Sequence, residues 1–403
     1  MEDNRKQIVF VEPDAMDMQA KMARLFRERG YETVLVTITD SSSKSDFILK
    51  SYDKIINFNF KFFRINSKEL PKIALHFLKK SPSVLKAAVS TLRLKPSMII
   101  TRGPPNWFCM LIKKLFKNYP VVYYPYDIRS HTCESLQAIR RAGVKIFEIR
   151  AEKECFKKMD GIIHKGGFDE LENLNTQILG PIKITCPTYH LLPYTTKELI
   201  VPINKNKLSR KDKEIHVVYA GCILDDKTFV ETVEELLRQK IHLHMYVKHS
   251  PLTREEWLNT TGKDYKKFES NPYYHMHHEL GQKELTKEIS KYDYAAWLGL
   301  YDSKSNTIKY GMGNKFSTYL EAGLPLIHFK SHEYIWSLTK KYGTGIGVDF
   351  EEFKNLRKVI KKLNYKKMEK NIEKTREQFE LEKHIPEIEE FFKKVRDYKY
   401  KSR

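Results

Sequence analysis

Apolar strand patterns alternate with amphipathic helical patterns along this chain, and the series starts twice. The first series opens at Ile8–Val11, passes the acidic turn Glu12-Pro13-Asp14, and enters a helical pattern from Met16 to Arg29 closed by Gly30. Strand patterns return at about Glu32–Ile38, Ser97–Thr101, Val121–Asp127 and Gly161–His164, with helical patterns around Trp107–Lys117 and Glu148–Met159 between them. Such alternation predicts a parallel sheet with right-handed crossovers. The second series begins at Ile215–Gly221, continues through a helix near Thr228–Gln239 and the strand Ile241–Val247, and resumes with a helix at Lys283–Lys291 and a strand at Tyr294–Tyr301. Between the two lies the polar, basic stretch from Pro187 to Glu214, which reads as a linker. A chain of 403 residues exceeds what one core usually serves, so two domains follow independently from length.

The predicted boundaries are residues 1–190 for the first domain, 191–213 for the linker, 214–375 for the second domain and 376–403 for a helical tail. Open parallel sheets receive ligands at the C-terminal ends of their strands, so a ligand cleft between the two domains is the expectation.

Lys and Arg total 72 against 51 Asp and Glu, a formal charge of +21, which favours an anionic partner. No helix-turn-helix, zinc finger or aromatic RNA-binding signature accompanies that charge, so no nucleic acid is expected as partner. The five cysteines (Cys109, Cys133, Cys155, Cys186 and Cys222) are scattered and read as free thiols. His242 and His244 share a strand face, and His275, His277 and His278 fall in a stretch read as a polar loop. Alternation explains the first pair, and no metal is expected. No run reaches the roughly 18 to 20 apolar residues of a membrane span, and the N-terminus lacks a signal peptide's apolar core. A cytoplasmic protein is the expectation.

The segment "YGMGNKFSTYLEAGLPLI", Tyr310–Ile327, concentrates the chemistry. Phe316, Tyr319, Leu320 and Gly323 recur at helical spacing on a face read as inward, while Asn314, Thr318 and Glu321 recur on a second, polar face. Gly323 and Pro325 stop the helix before the strand starting at Leu326. Lys315 at the helix mouth and Lys227 after the Gly221 turn are placed to meet an anion, and Gly221 lets a backbone approach one closely. A solvated surface lysine explains either position as well.

With these residues in view, the chain resembles the GT-B glycosyltransferases, most closely family 4. The matching segments are "YAGCILDDKTFVETVEELL", "SKYDYAAWLGLYDSKSN" and "GNKFSTYLEAGLPLI", with weaker similarity in "ITRGPPNWFCMLIKKLFKNYPVVYYPYDIRS" and "AEKECFKKMDGIIHKGG". The resemblance implies two Rossmann-like parallel-sheet domains facing a cleft, with the C-terminal helices packing back toward the first. It implies a metal-independent, hexosyltransferase-type enzyme that takes sugar from a nucleotide-sugar donor to a glycan or lipid-linked acceptor, with retention, in cell-surface polysaccharide or glycolipid synthesis. The donor residues it implies are Gly221, Lys227, Tyr301, Asp302, Asn314, Lys315, Thr318 and Glu321. The sequence departs from the family where a ribose-binding glutamate is usual: Thr318 stands there, and Gly313 occupies the position of the first glutamate of the usual spaced pair. Either Thr318 itself or Glu321, one turn later on roughly the same face, takes that glutamate's place. On the acceptor side Asp127 and Glu12 end parallel strands as candidate catalytic carboxylates, although each also suits a turn. The departures keep two alternatives open: a catalytically silent GT-B-like binding protein of an assembly complex, and a sugar-nucleotide 2-epimerase.

From Lys54 to Lys95 the sequence holds ten Lys or Arg but one acid, Glu69, with five phenylalanines among them. A basic, aromatic-bearing surface docks on anionic headgroups, so Lys79, Lys80 and Lys86 are the candidate membrane contacts of a peripheral protein. A first-domain core with an ordinary solvated face is the competing reading.

Overall fold

A computed structural model describes residues 6–37, 46–58, 89–132, 146–167, 170–174, 176–192, 194–222, 227–247 and 267–401. Lys79, Lys80 and Lys86 lie outside the described residues. The chain divides into two compact units, Met1–Leu191 with His384–Arg403, and Leu192–Lys383.

The first unit is built on a seven-stranded sheet in the order β3-β2-β1-β4-β5-β6-β7. Its strands are β1 (Gln7–Glu12), β2 (Glu32–Thr37), β3 (Lys54–Asn57), β4 (Met98–Gly103), β5 (Val121–Pro125), β6 (Gly161–His164) and β7 (Thr188–His190), and every pair is parallel. Val9, Val11, Val34, Ile99, Val121 and Ile162 are wholly buried, because helices cover the sheet and both strand faces must be apolar. Gly30, at φ 84°, ends the crossover after the helix Asp17–Glu28 in a left-handed conformation that suits glycine.

The C-terminal helix Leu381–Lys401 lends the first unit its last piece. Phe392 stacks on Phe26 with ring centroids 5.3 Å apart, and Arg29 forms a bidentate pair with Glu389. A Cβ on Gly161 would stand 2.5 Å from Val395, so β6 meets this helix at a position that excludes a side chain.

The second unit carries a six-stranded parallel sheet, β10-β9-β8-β11-β12-β13, made of β8 (His216–Gly221), β9 (His242–Val247), β10 (Tyr274–His277), β11 (Tyr294–Ala296), β12 (Leu326–Phe329) and β13 (Gly345–Val348). Two expectations need correction. The histidine-rich stretch read as a loop is a strand, because His275 and His277 alternate in register with His244 and Tyr246 of β9. The strand expected over Tyr294–Tyr301 ends at Ala296, since Gly299 (φ 79°) and Leu300 (φ 57°) turn the chain away from the sheet.

Cys109, Cys155 and Cys186 are buried free thiols and Cys222 is an exposed one; Cys133 lies outside the described residues. No described helix is long and apolar enough to cross a membrane.

Candidate functional site

Each sheet reverses its strand order once, and at that point the two outgoing connections leave on opposite faces and open a crevice. In the second unit the reversal lies between β8 and β11. β8 ends at Gly221, and Trp297 follows the end of β11. The helix Lys315–Glu321 is tied to both strand ends by Tyr319, whose hydroxyl accepts from the Ala220 amide at 3.0 Å and lies 3.4 Å from the Ala296 carbonyl.

That placement lays Lys315 across the end of β8. Its Nζ donates to the Tyr219 hydroxyl at 2.8 Å and lies 4.3 Å from the Tyr219 ring centroid and 5.2 Å from that of Trp297. Although part of the side chain reaches solvent, the aromatic surroundings desolvate the ammonium and lower its pKa to about 8. Among the described residues no carboxylate lies within ion-pair distance of it. Gly221 makes the passage of the lysine possible, because it has φ 150° and a Cβ there would stand 2.3 Å from Lys315 Cε. His332, 2% exposed, stands 5.7 Å from the Trp297 ring, and burial, His328 and Lys315 together push its pKa down to about 3. A neutral ring beside a cation is the result. Asn314, at the start of the helix, has a buried Oδ1 without a hydrogen-bond partner among the described residues.

The other expected donor residues are placed differently. Glu321 is fully buried, and its Oε1 accepts the Thr196 amide at 3.1 Å, so the carboxylate serves the chain leading into the unit. Thr318 donates to the Asn314 carbonyl and accepts from Gln282 Nε2 at 3.0 Å. The expected polar face of this helix is therefore buried along with its apolar one; the two faces meet different neighbours instead of core and solvent. Lys227 is 88% exposed and pairs with Glu231 at 3.3 Å. Glu231 also accepts from the Tyr301 hydroxyl, whose ring stacks on Phe350, and Asp302 is exposed in the turn that follows.

In the first unit the reversal lies between β1 and β4, and charged residues collect at the strand ends there. Glu12 ends β1 at 1% exposure. Arg102 on β4 brings its Nε to 3.5 Å from the Glu12 carboxylate and donates to the Asp14 carbonyl at 2.6 Å. Burial outweighs that cation and the Tyr52 hydroxyl and raises the Glu12 pKa to about 7. Lys165, just past β6, is buried with Nζ 3.3 Å from the Tyr126 ring centroid. Burial lowers its pKa to about 8 against the opposing pull of Asp127 and Glu170. Asp127 itself is exposed. Its place beside Tyr126 puts an accessible carboxylate next to a cluster of enclosed charges.

Sequence reasoning named Gly221, Asn314 and Lys315 but not Tyr219, Trp297 and His332 around them, and named Glu12 and Asp127 but not Arg102 and Lys165. Those five residues carried a usable signal: each lies on, or one to three residues beyond the C-terminal end of, a parallel strand.

Residues 237–387 match the family described as Glucosyltransferase 3-like, C-terminal domain. No curated protein sequence matches the chain. Among solved structures, the sucrose-phosphate synthase of Thermosynechococcus elongatus is similar with a TM-score of 0.69 over 97% of this chain and 99% of that one, at 12% identity. The O-GlcNAc transferase of Thermobaculum terrenum gives 0.54 over 100% of this chain and 69% of that one, at 11% identity. A UDP-glucose: anthocyanidin 3-O-glucosyltransferase in complex with UDP gives 0.52 over 99% and 100%, at 10% identity. The chain has the GT-B fold, and the family match falls on the part that holds Lys315.

Proposed function

We propose that the protein transfers a hexosyl group from a nucleotide-sugar donor to a hydroxyl of a glycan or lipid-linked acceptor, with retention and without a metal, in the assembly of a cell-surface polysaccharide or glycolipid. The observation that carries this reading is Lys315, an enclosed ammonium with no carboxylate neighbour among the described residues, at the strand-order reversal of the second sheet. A desolvated cation without a counterion is costly unless an anion completes it. A nucleoside diphosphate brings two phosphates, and the charge that grows on its leaving oxygen as the glycosidic bond breaks is stabilised by a fixed cation. Asn314 offers a further polar atom and Trp297 an apolar ring face beside the ammonium. Asp127 is the acceptor-side residue, within reach of an incoming hydroxyl because it is exposed.

Nucleotide sugars presented singly to the full chain test this reading by calorimetry, followed by a search for transfer with the donor that binds. Binding by the parent and weaker binding by Lys315→Ala support it. Absence of binding by every uridine, guanosine, adenosine and thymidine diphosphate sugar overturns it. Binding without transfer or donor turnover points to a silent binding protein, and epimerised free donor to a 2-epimerase.

The acceptor reading extends to the membrane through residues 54–95, whose ten cations and single acid suit an anionic surface. Cosedimentation with anionic vesicles, its loss at raised salt and in a Lys79→Glu, Lys80→Glu, Lys86→Glu variant, is the outcome this reading requires. No cosedimentation at low salt leaves a soluble acceptor.

A further inference from the structure

Five imidazoles gather on one face of the second sheet. The parallel register sets His216 of β8 directly beside His242 of β9, and His244 of β9 directly beside His275 of β10. The His216 and His242 rings stack with centroids 4.5 Å apart and planes 13° from parallel. One ring nitrogen of each is engaged by a second imidazole. His216 Nδ1 lies 3.0 Å from His244 Nε2, and His242 Nδ1 lies 2.8 Å from His275 Nε2. His244 Nδ1 continues the chain to His277 Nε2 at 3.0 Å.

The remaining nitrogen of His216 meets a carboxylate. Asp212 Oδ2 stands 2.9 Å from His216 Nε2, and Asp212 Oδ1 accepts the Glu214 amide at 2.9 Å, which fixes the carboxylate's orientation. One ligand atom each from Asp212, His216 and His242 lies within 4.8 Å of the others. The Asp212 side chain is 45% exposed, so the group opens to solvent on one side.

We propose that Asp212, His216 and His242 bind one divalent transition-metal ion of the zinc class, with water in the remaining position. Two imidazole nitrogens and one carboxylate oxygen suit such a borderline ion and disfavour magnesium or calcium, which take oxygen sets. A zinc–nitrogen bond of about 2.0–2.1 Å places tetrahedral ligand atoms about 3.3 Å apart. The three atoms must therefore draw in: the exposed Asp212 side chain has the freedom to move, and the stacked His216 and His242 rings must tilt toward each other so that both in-plane lone pairs meet the ion. His244 and His275 act as the outer partners that orient metal-ligating imidazoles. With the ion on His216 Nε2, its Nδ1–H donates to His244, and His244 in turn donates to His277, so one choice of tautomer satisfies the whole chain. Asp212 ends the short helix Ser209–Asp212 that precedes β8, whereas His216 and His242 belong to the sheet. The ion thus clips the entering segment to the two strands, away from the residues around Lys315.

The full-length chain, stripped of metal and carrying Cys222→Ser to remove the exposed thiol, is titrated with zinc against a chromophoric chelator near neutral pH. The expected result is one zinc per chain, with Asp212→Asn and His242→Gln each weakening it by at least the roughly 10-fold that loss of an outer partner alone costs. Zinc should raise the parent's melting temperature and leave that of a variant carrying both Asp212→Asn and His242→Gln unchanged. Cobalt should give visible absorption in the parent only. Asp212→Asn changes an exposed, isosteric group, so it reports on the metal even where His242→Gln disturbs the sheet. Equal zinc uptake by the parent and Asp212→Asn overturns the proposal, as does displacement of zinc by an equal concentration of magnesium.

Discussion

A Cβ on Gly221 would stand 2.3 Å from Cε of Lys315, so the end of β8 is bare because a lysine from 94 positions later in the sequence crosses it. The glycine and the lysine are one device. Gly221→Ala adds a methyl where the lysine stem runs and strains a backbone at φ 150°. The stem is flexible and yields, which displaces the ammonium from Tyr219 and Trp297. Donor binding in this variant should fall toward that of Lys315→Ala while the melting temperature drops by only a few degrees; calorimetry beside thermal melting checks both.

Lys315→Ala should weaken donor binding by roughly 10- to 150-fold, the equivalent of about 1.5–3 kcal/mol for a charge-assisted contact. Steady-state transfer at subsaturating donor reads this directly, and kinetics equal to the parent's would remove Lys315 from the site.

The lowered pKa of Lys315 fixes the sign of two pH effects. Between about pH 8 and the ordinary lysine value of 10.5, the unfolded chain holds a proton that the folded one has lost. Stability from this group therefore rises with pH across that window. Donor affinity runs the other way, because the site needs the ammonium. At pH 9 binding should take up a proton, seen as a calorimetric enthalpy that depends on the buffer's own ionisation enthalpy. A buffer-independent enthalpy at pH 9, with the same enthalpy in Lys315→Ala, would contradict the assignment.

Arg102→Met strips a buried carboxylate of its cation and should cost about 3–5 kcal/mol near neutral pH, as broken buried pairs do. Glu12 already binds a proton more readily in the folded chain than its usual 4.5, up to about 7. Its contribution therefore falls as pH rises from 4.5 to 7, and without Arg102 that window extends upward. Urea denaturation at pH 5 and pH 8 should show the smaller penalty at pH 5.

Glu321→Gln keeps an oxygen for the Thr196 amide and should bind donor as the parent does, with a small loss of stability. Glu321→Ala leaves that buried amide without its acceptor and should destabilise the second unit by about 1–3 kcal/mol, donor affinity again unchanged. A large loss of donor affinity in Glu321→Gln would return the residue to the ribose.

Much of the fold was legible because parallel strands covered on both faces leave short apolar runs, as at Ile8–Val11 and Ile215–Gly221, and these set the rhythm of both halves. Strand ends were less legible. Gly299 and Leu300 close β11 by adopting positive φ, and Leu300 gives no compositional warning of it. The site was half legible for a related reason. Gly221 and Lys315 are residue types whose chemistry is visible in isolation, whereas Trp297 and Tyr219 matter only because strand order brings their ends together. For Glu321 helical spacing showed which residues share a face, not that this face meets the Thr196 amide.

The first unit is discontinuous in sequence: it takes Met1–Leu191 and then His384–Arg403, with all of the second unit inserted between. On the ribosome β1–β7 emerge without the helix that stacks Phe392 on Phe26 and fills the notch at Gly161. Leu192–Lys383 has by then been synthesised as an unbroken stretch and is free to fold first. The expected order of maturation is thus the reverse of the order of synthesis. Removing residues 384–401 should leave the second unit cooperative in melting while unfolding the first, although the cut is made nearly 200 residues beyond the first unit's last strand.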